Sequence, residues 1–192
     1  MRTCGVILAG GKSSRMGKNK ALLPILGKPV IQHVAKTLSR CTEEVFVIAN
    51  NPSDYSFLKL PIYPDRYVHI GPLGGMESAL YHIKADCYVF AACDMPFLNT
   101  DVYNILLSKL ESYDAVIPIY NQYEHPMCGI YRNSIFHQVQ TQIRKNDLKL
   151  KRLLDQIQVN YIDTYEGIPN DVLKKHFFNM NYPSEYEEAK LL

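Results

Sequence analysis

The sequence predicts a three-layer α/β fold, a mostly parallel sheet with helices on both faces. Three observations carry this. Short, continuously apolar runs recur along the 192 residues, as strands buried on both faces of a sheet should read. Amphipathic stripes of helical spacing lie between them. Strand, loop and helix alternate in order, which builds parallel sheets. In such sheets ligands bind beyond the carboxyl ends of the strands.

The strands are expected at Thr3–Leu8, Val45–Ala49, Cys87–Ala92, Ala115–Ile119, Gly129–Tyr131 and Val159–Ile162. Val30, Ile31, Val34, Ala35 and Leu38 form one helical stripe, with Pro29 suited to its first turn. Val102, Ile105, Leu106 and Leu110 form a second, with Thr100 and Asp101 as capping candidates. Leu150, Leu153, Leu154 and Ile157 form a third, and Ser184-x-x-Glu187 reads as the capping box of a terminal helix. Irregular stretches around 50–75 and 120–127 are places for binding residues. No internal repeat, low-complexity tract or linker interrupts the chain, so one domain is expected over residues 1–192.

Composition narrows the class. Hydrophobic residues make up 47% and charged residues 21%, ordinary for a soluble globular protein. No apolar run is long enough to span a membrane, and MRTCGVILAGG reads as a strand and not a signal peptide. The five cysteines (Cys4, Cys41, Cys87, Cys93, Cys128) are odd in number and lack a CxxC spacing. A reducing cytosol fits them better than a disulfide framework. His125 and Cys128 have no second pair to complete a structural zinc site. The 14 tyrosines are scattered and no RNP-type or zinc motif accompanies them, which argues against nucleic acid.

Charge is distributed unevenly. Residues 1–42 hold eight basic residues and no acidic one, leaving 13 basic against 19 acidic residues in the rest, a net of −6. A positive field beside a glycine loop suits a polyphosphate ligand. The loop itself reads GVILAGGKSSRMGKNK. It is not a P-loop: counting back from Gly11-Lys12-Ser13, that template needs Gly where Val6 stands. Ala9, Gly10 and Gly11 nevertheless carry no bulky side chains, so their backbone N–H groups can approach phosphate oxygens. Arg15 and Lys20 add positive charge.

Two further segments stand out. Gly71-Pro72-Leu73-Gly74-Gly75-Met76 runs into a helical pattern over Met76–Ile83, either as a ligand-facing loop or as a plain turn. Cys93-Asp94-Met95-Pro96 follows the strand CYVFAA. Asp94 either caps a turn at Pro96 or faces the ligand crevice, where one carboxylate with phosphate oxygens and water suffices for Mg²⁺. Asp65, in Tyr63-Pro64-Asp65-Arg66, reads as a turn residue or a polar anchor.

Taken in order, LAGGKSSRMG, KNKALLP, GPLGG, CDMPFL and FNMNYPSEYE resemble the molybdenum cofactor guanylyltransferases, the MobA-like proteins, over nearly the whole chain. The resemblance implies a Rossmann-like nucleotidyltransferase fold, with a nucleotide-binding part at about 1–100 and a second-substrate part at about 101–192. It implies transfer of GMP from GTP to molybdopterin with Mg²⁺ present, in the cytoplasm. Transient contact with proteins that deliver or receive the cofactor is also implied.

Carried over residue by residue, Leu8, Ala9, Gly10 and Gly11 contact the nucleotide, Lys20 neutralises the phosphates and Arg15 supports the pyrophosphate. Asn50, Asp65 and Gly71 to Gly75, with Gly74 among them, lie against the nucleotide, and Asp94 holds Mg²⁺. His125, Asn179 and Asn181 match positions near the second substrate. Two positions depart from the family pattern: Asn19 replaces the usual Asp before the lysine, and Asn181-Tyr182-Pro183-Ser184 replaces Asn-Thr-Pro-Glu.

Relatives that use CTP tend to read LAAG where this chain has Leu8-Ala9-Gly10-Gly11, which favours GTP and leaves a cytidylyltransferase as the alternative. A sugar-1-phosphate nucleotidyltransferase needs a longer chain. A nucleotide-binding or delivery protein without turnover has no need of Asp94.

Overall fold

The computed structural model describes residues 1–10 and 19–192. The expectations for Gly11 and Arg15 lie outside the described residues.

Among the described residues ten strands run in chain order: β1 Thr3–Leu8, β2 Pro24–Ile25, β3 Lys28–Pro29, β4 Glu44–Ile48, β5 Ile62–Tyr63, β6 Cys87–Ala92, β7 Ala115–Tyr120, β8 Tyr123–Glu124, β9 Ile130–Arg132 and β10 Val159–Ile162. Seven helices accompany them: α1 Val30–Leu38, α2 Pro72–His82, α3 Thr100–Ser108, α4 Phe136–Arg144, α5 Leu150–Leu154, α6 Asn170–His176 and α7 Pro183–Ala189. The main sheet has the order β10-β7-β9-β6-β1-β4-β5, with β8 paired to β7. Pairs β1–β4, β1–β6, β4–β5 and β7–β10 are parallel, while β9 runs antiparallel to both neighbours. The β7–β9 connection, residues 121–129, is too short for a parallel crossover, so β9 must return in the opposite direction.

Alternation along the strands divides the core. From β1 and β6, Ile7, Cys87, Val89 and Ala91 pack with α1 and α3 residues such as Val34 and Leu106. Cys4, Val6, Tyr88 and Phe90 face the other way, onto Met76 and Leu80 of α2, Val139 of α4 and Leu153 of α5. These are the two helical layers expected from the sequence, each excluding water from one face of the sheet.

Element ends differ from expectation in ways with a local cause. The cap of α3 is Asn99, whose Oδ1 accepts from the backbone N–H of Asp101 (2.7 Å) and Val102 (3.3 Å), so Thr100 and Asp101 are already helical. Pro29 immediately precedes α1 instead of lying in its first turn. Pro183 occupies the first turn of α7, and Glu185, not Glu187, reaches back to the N–H of Tyr182 at 2.8 Å. Helix α2 starts at Pro72, four residues before the expected pattern, so Gly74 and Gly75 are inside it. They serve close packing there and not a turn. Helices α4 and α6 are not among the expected elements, although Phe136, Val139 and Ile143 put an apolar stripe of helical spacing on α4.

Candidate active site

The carboxyl ends of β1, β4 and β6 open into a cavity of about 430 Å³ lined there by Leu8, Ile48 and Ala92. This is where an open parallel sheet places ligands. Ala9, Gly10, Lys20, Asp65, Gly71 and Gly75 form one wall. Glu124, His125, Pro126 and Met127 form the other, with Asp94 and Asn179 between. Asn50, Gly74 and Asn181 do not line the cavity but support residues that do.

At its centre three distant segments meet. Lys20 Nζ donates to Asp94 Oδ2 at 2.7 Å and to Asn181 Oδ1 at 3.0 Å, and Asn181 Nδ2 donates to Asn179 Oδ1 at 2.9 Å. The Lys20 and Asp94 side chains are only 18% and 14% exposed, so little solvent screens the pair. The placement has local causes. Asp94 follows β6 directly. Lys20 opens a short 3-10 turn capped by Asn19, whose Oδ1 accepts from Ala21 N–H at 3.2 Å. Asn19 Nδ2 also donates to Tyr55 Oη (2.9 Å), and that hydroxyl donates to the Ala9 carbonyl at 3.4 Å. One phenol thereby ties residues 9 and 19, on either side of the glycine loop. The terminal segment is drawn in by Met180 N–H, which donates to the Asp94 carbonyl at 3.0 Å.

The donor chemistry limits which metal fits. Among the described residues no three His, Cys, Asp or Glu side chains gather into a metal cage. Asp94 supplies one carboxylate, with the amide oxygens of Asn179 and Asn181 nearby. Such hard oxygen donors fit a divalent cation that takes its remaining ligands from phosphate and water, and do not fit structural zinc.

Asp65 is held by a two-way pair with Asn50. Asn50 Nδ2 donates to Asp65 Oδ2 at 2.9 Å, and Asp65 N–H donates to Asn50 Oδ1 at 3.0 Å. Its other oxygen, Oδ1, is buried with no hydrogen-bond partner among the described residues. Burial raises the Asp65 pKa against the lowering effect of Asn50. A Cβ on Gly10 would lie 2.8 Å from Asp65 Oδ2, so the loop needs glycine there for the carboxylate to stand where it does.

Apart from Glu124 the opposite wall is uncharged, and an aromatic cluster backs it. His125 packs 4.6 Å from the Phe177 ring, and His176 lies 4.6 Å from the same ring and 5.4 Å from Tyr103. His176 Nδ1 accepts the Asn99 N–H at 2.8 Å. Burial lowers its pKa to about 3, with His125 adding to the shift, and burial lowers His125 as well. Both rings are therefore neutral near pH 7. Cys93 and Cys128 also line the cavity, and burial raises each thiol to about 12, so neither is a ready nucleophile.

Sequence reasoning missed Tyr55, Arg66, Glu77 and His176. Only Glu77 left a signal, a lone carboxylate in the apolar stretch Met76–Ile83.

The sequence profile described as the MobA-like NTP transferase domain matches residues 5–160. A protein of Carboxydothermus hydrogenoformans named "Probable molybdenum cofactor guanylyltransferase" is 37% identical over 95% of this chain and 92% of its own. One of the same name from Clostridium perfringens is 37% identical over 98% and 96%. Among solved structures, molybdopterin-guanine dinucleotide biosynthesis protein A of Archaeoglobus fulgidus superposes with a TM-score of 0.83 at 24% identity, covering 98% of this chain and 97% of that one. With the fold, the cavity at the strand ends and these matches together, the chain belongs to the MobA-like NTP transferase family.

Proposed function

We propose that this protein transfers GMP from GTP to molybdenum-loaded molybdopterin, releasing pyrophosphate and the guanine dinucleotide form of the cofactor. The convergence of Lys20, Asp94 and Asn181 at the ends of β1 and β6 is the observation that carries the reading. It sets a cation and a carboxylate where a triphosphate in the cavity would lie.

In the reaction, a phosphate oxygen of molybdopterin forms a bond to the α-phosphorus of GTP. The bond from that phosphorus to the α–β bridging oxygen breaks, and pyrophosphate leaves with the electron pair. Both groups are phosphate oxygens already, so no Ser-His-Asp or Cys-His apparatus is required. The chain's residues act by alignment and charge. Leu8, Ala9, Gly10 and Gly11 hold the nucleotide at the end of β1, with Asn50, Asp65 and the segment Gly71 to Gly75 against its nucleoside side. Lys20, with Arg15, offsets the negative charge of the phosphates and of the departing pyrophosphate. His125, Asn179 and Asn181 receive the second substrate. Asp94 holds Mg²⁺, which when bound supplies Lewis-acid stabilisation of the phosphate oxygens.

We read the two parts of the chain as one catalytic domain, a reading supported by β7, β9 and β10 joining the same sheet as β1, β4 and β6. The five cysteines are all free thiols, consistent with a reducing cytoplasm. No helix among the described residues is long and apolar enough to cross a membrane. Transient docking to proteins that supply molybdopterin and collect the product completes the proposal.

The test is pyrophosphate release with Mg²⁺ and molybdenum-loaded molybdopterin, comparing GTP with CTP. Release with GTP alone is expected. Release with CTP alone would keep the chemistry and overturn the base assignment. Binding of either without release would leave a nucleotide-binding protein.

A further inference from the structure

Residues 64–70, which carry Asp65, have little apolar packing of their own, since Arg66, Tyr67, Val68 and His69 are all exposed. They are fastened to α2 by polar contacts from a single residue. Arg66 N–H donates to Ser78 Oγ at 2.8 Å, and that hydroxyl donates onward to the Gly74 carbonyl at 2.8 Å. The Arg66 guanidinium donates to Glu77 Oε1 at 2.6 Å and lies 3.5 Å from the centre of the Tyr81 ring. Glu77 is fully buried. Gln140 of α4 donates to the same Oε1 at 3.1 Å, and Glu77 Oε2 has no hydrogen-bond partner among the described residues.

The pair joins a fully buried carboxylate to a guanidinium side chain that is 31% exposed, and leaves one carboxylate oxygen spare, which is a poor way to stabilise a protein. Taking the carboxylate out of water costs about as much as the attraction returns, and apolar replacements of such pairs are often as stable or more so. What the pair does supply is direction. Arg66 is the next residue after Asp65, so fixing its backbone and its guanidinium fixes the peptide from which the Asp65 side chain projects. On the other side Asn50 holds the Asp65 N–H. Ile70 and the Tyr67 carbonyl also abut Gly74 of α2, while the exposed residues between depend on such ties to stay in place.

We propose that Arg66 and Glu77 are positioning residues for the nucleotide subsite: the ion pair of Arg66 with the buried Glu77 carboxylate sets where Asp65 stands and so tunes affinity for GTP, while the chemical step is left alone. This rests on the guanylyltransferase reading above. A purely structural role would show as lost stability. A positioning role shows as weaker GTP binding in a protein that is still stable.

Two variants of the full-length chain separate these. Glu77→Gln keeps the shape and removes the charge. The double variant Arg66→Met with Glu77→Leu replaces the pair by apolar side chains, and its melting temperature should match or exceed that of wild type. In both, KM for GTP should rise about tenfold, with kcat within about threefold and KM for molybdopterin unmoved. Isothermal titration with Mg²⁺ and GTP, without molybdopterin, should show the same loss of affinity. A folded double variant whose GTP affinity lies within about twofold of wild type would overturn the proposal, as would a fall in kcat at unchanged KM. If wild type itself releases no pyrophosphate, the reaction assignment fails, and the titration still decides the positioning role.

Discussion

The two walls of the cavity are built on different principles. The wall from β1, β4 and α2 is polar and glycine-rich, with Asp65 tied by Asn50 and the following residue tied by an ion pair to a buried carboxylate. The wall from β8 and the turn after it carries one carboxylate, Glu124, and is backed by an uncharged aromatic cluster in which His125 and His176 pack around Phe177. Polar ties fix direction at some cost in stability. Aromatic packing returns stability through buried area and leaves direction to shape. The first wall is therefore suited to orienting a charged nucleotide, and the second to enclosing a bulky partner.

If that contrast is right, changes at the polar centre should remove chemistry and leave the fold. Asp94→Asn is expected to lower turnover by about 10³-fold or more while the fold survives. Mg²⁺-dependent release near the wild-type rate would take Asp94 out of its proposed metal role. Lys20→Ala should slow turnover by about 10²-fold or more, corresponding to about 2.7–4 kcal/mol. Lys20 already engages Asp94 and Asn181, so a rate within a factor of two of wild type would mean that these contacts serve folding alone.

A change in packing under the polar wall should have a smaller and mixed effect. A Cβ on Gly74 would lie 2.7 Å from Ile70 Cγ1 and 2.8 Å from the Tyr67 carbonyl oxygen. One neighbour is backbone, so the segment carrying Asp65 must shift. Gly74→Ala should cost about 1–3 kcal/mol in urea unfolding and raise KM for GTP more than it lowers kcat. Unchanged KM would show that the segment adjusts without moving Asp65.

The same contrast explains what could be read in advance. All six expected strands are present, because runs such as Thr3–Leu8 and Cys87–Ala92 are buried on both faces and have to be apolar throughout. Gly10 and Asp94 drew attention through the glycine loop and the strand end, but Asp65 and Asp94 read equally well as turn residues, and their roles came from the family resemblance. Besides letting its N–H approach a phosphate, the reason read beforehand, Gly10 makes room for Asp65 Oδ2. Of the second wall and the cluster behind it, only His125 was legible. His125 meets Phe177, and Tyr103 meets His176, only once the chain has folded, and no spacing announces contacts across 50 or 70 residues. Tyr55 was hidden for the same reason, since its partners Ala9 and Asn19 lie far earlier in the chain.

Acid titration should separate the two walls with the smallest perturbation, because their buried groups are shifted in opposite senses. His176 has a folded pKa of about 3 against 6.5 for the free side chain, owing first to burial and then to His125. Between those values the unfolded chain binds the proton and the folded protein does not. Stability therefore falls as pH drops from about 6.5 towards 3, by up to about 1.4 kcal/mol per pH unit for that ring. His125, also lowered by burial, adds to the loss. Asp65 works the other way. Burial raises its pKa, so the folded protein holds that proton more tightly and gains relative stability as pH falls through the folded value. His176→Asn offers an amide oxygen to the Asn99 N–H but cannot titrate. It should be less stable than wild type at pH 7, with the gap closing towards pH 4. Asp65→Asn removes a buried charge and should be more stable than wild type at pH 7, with that advantage also shrinking on acidification. Urea midpoints at pH 7, 5.5 and 4 read both effects. If both variants shift stability in the same direction at pH 7, the walls do not differ in the way their chemistry implies.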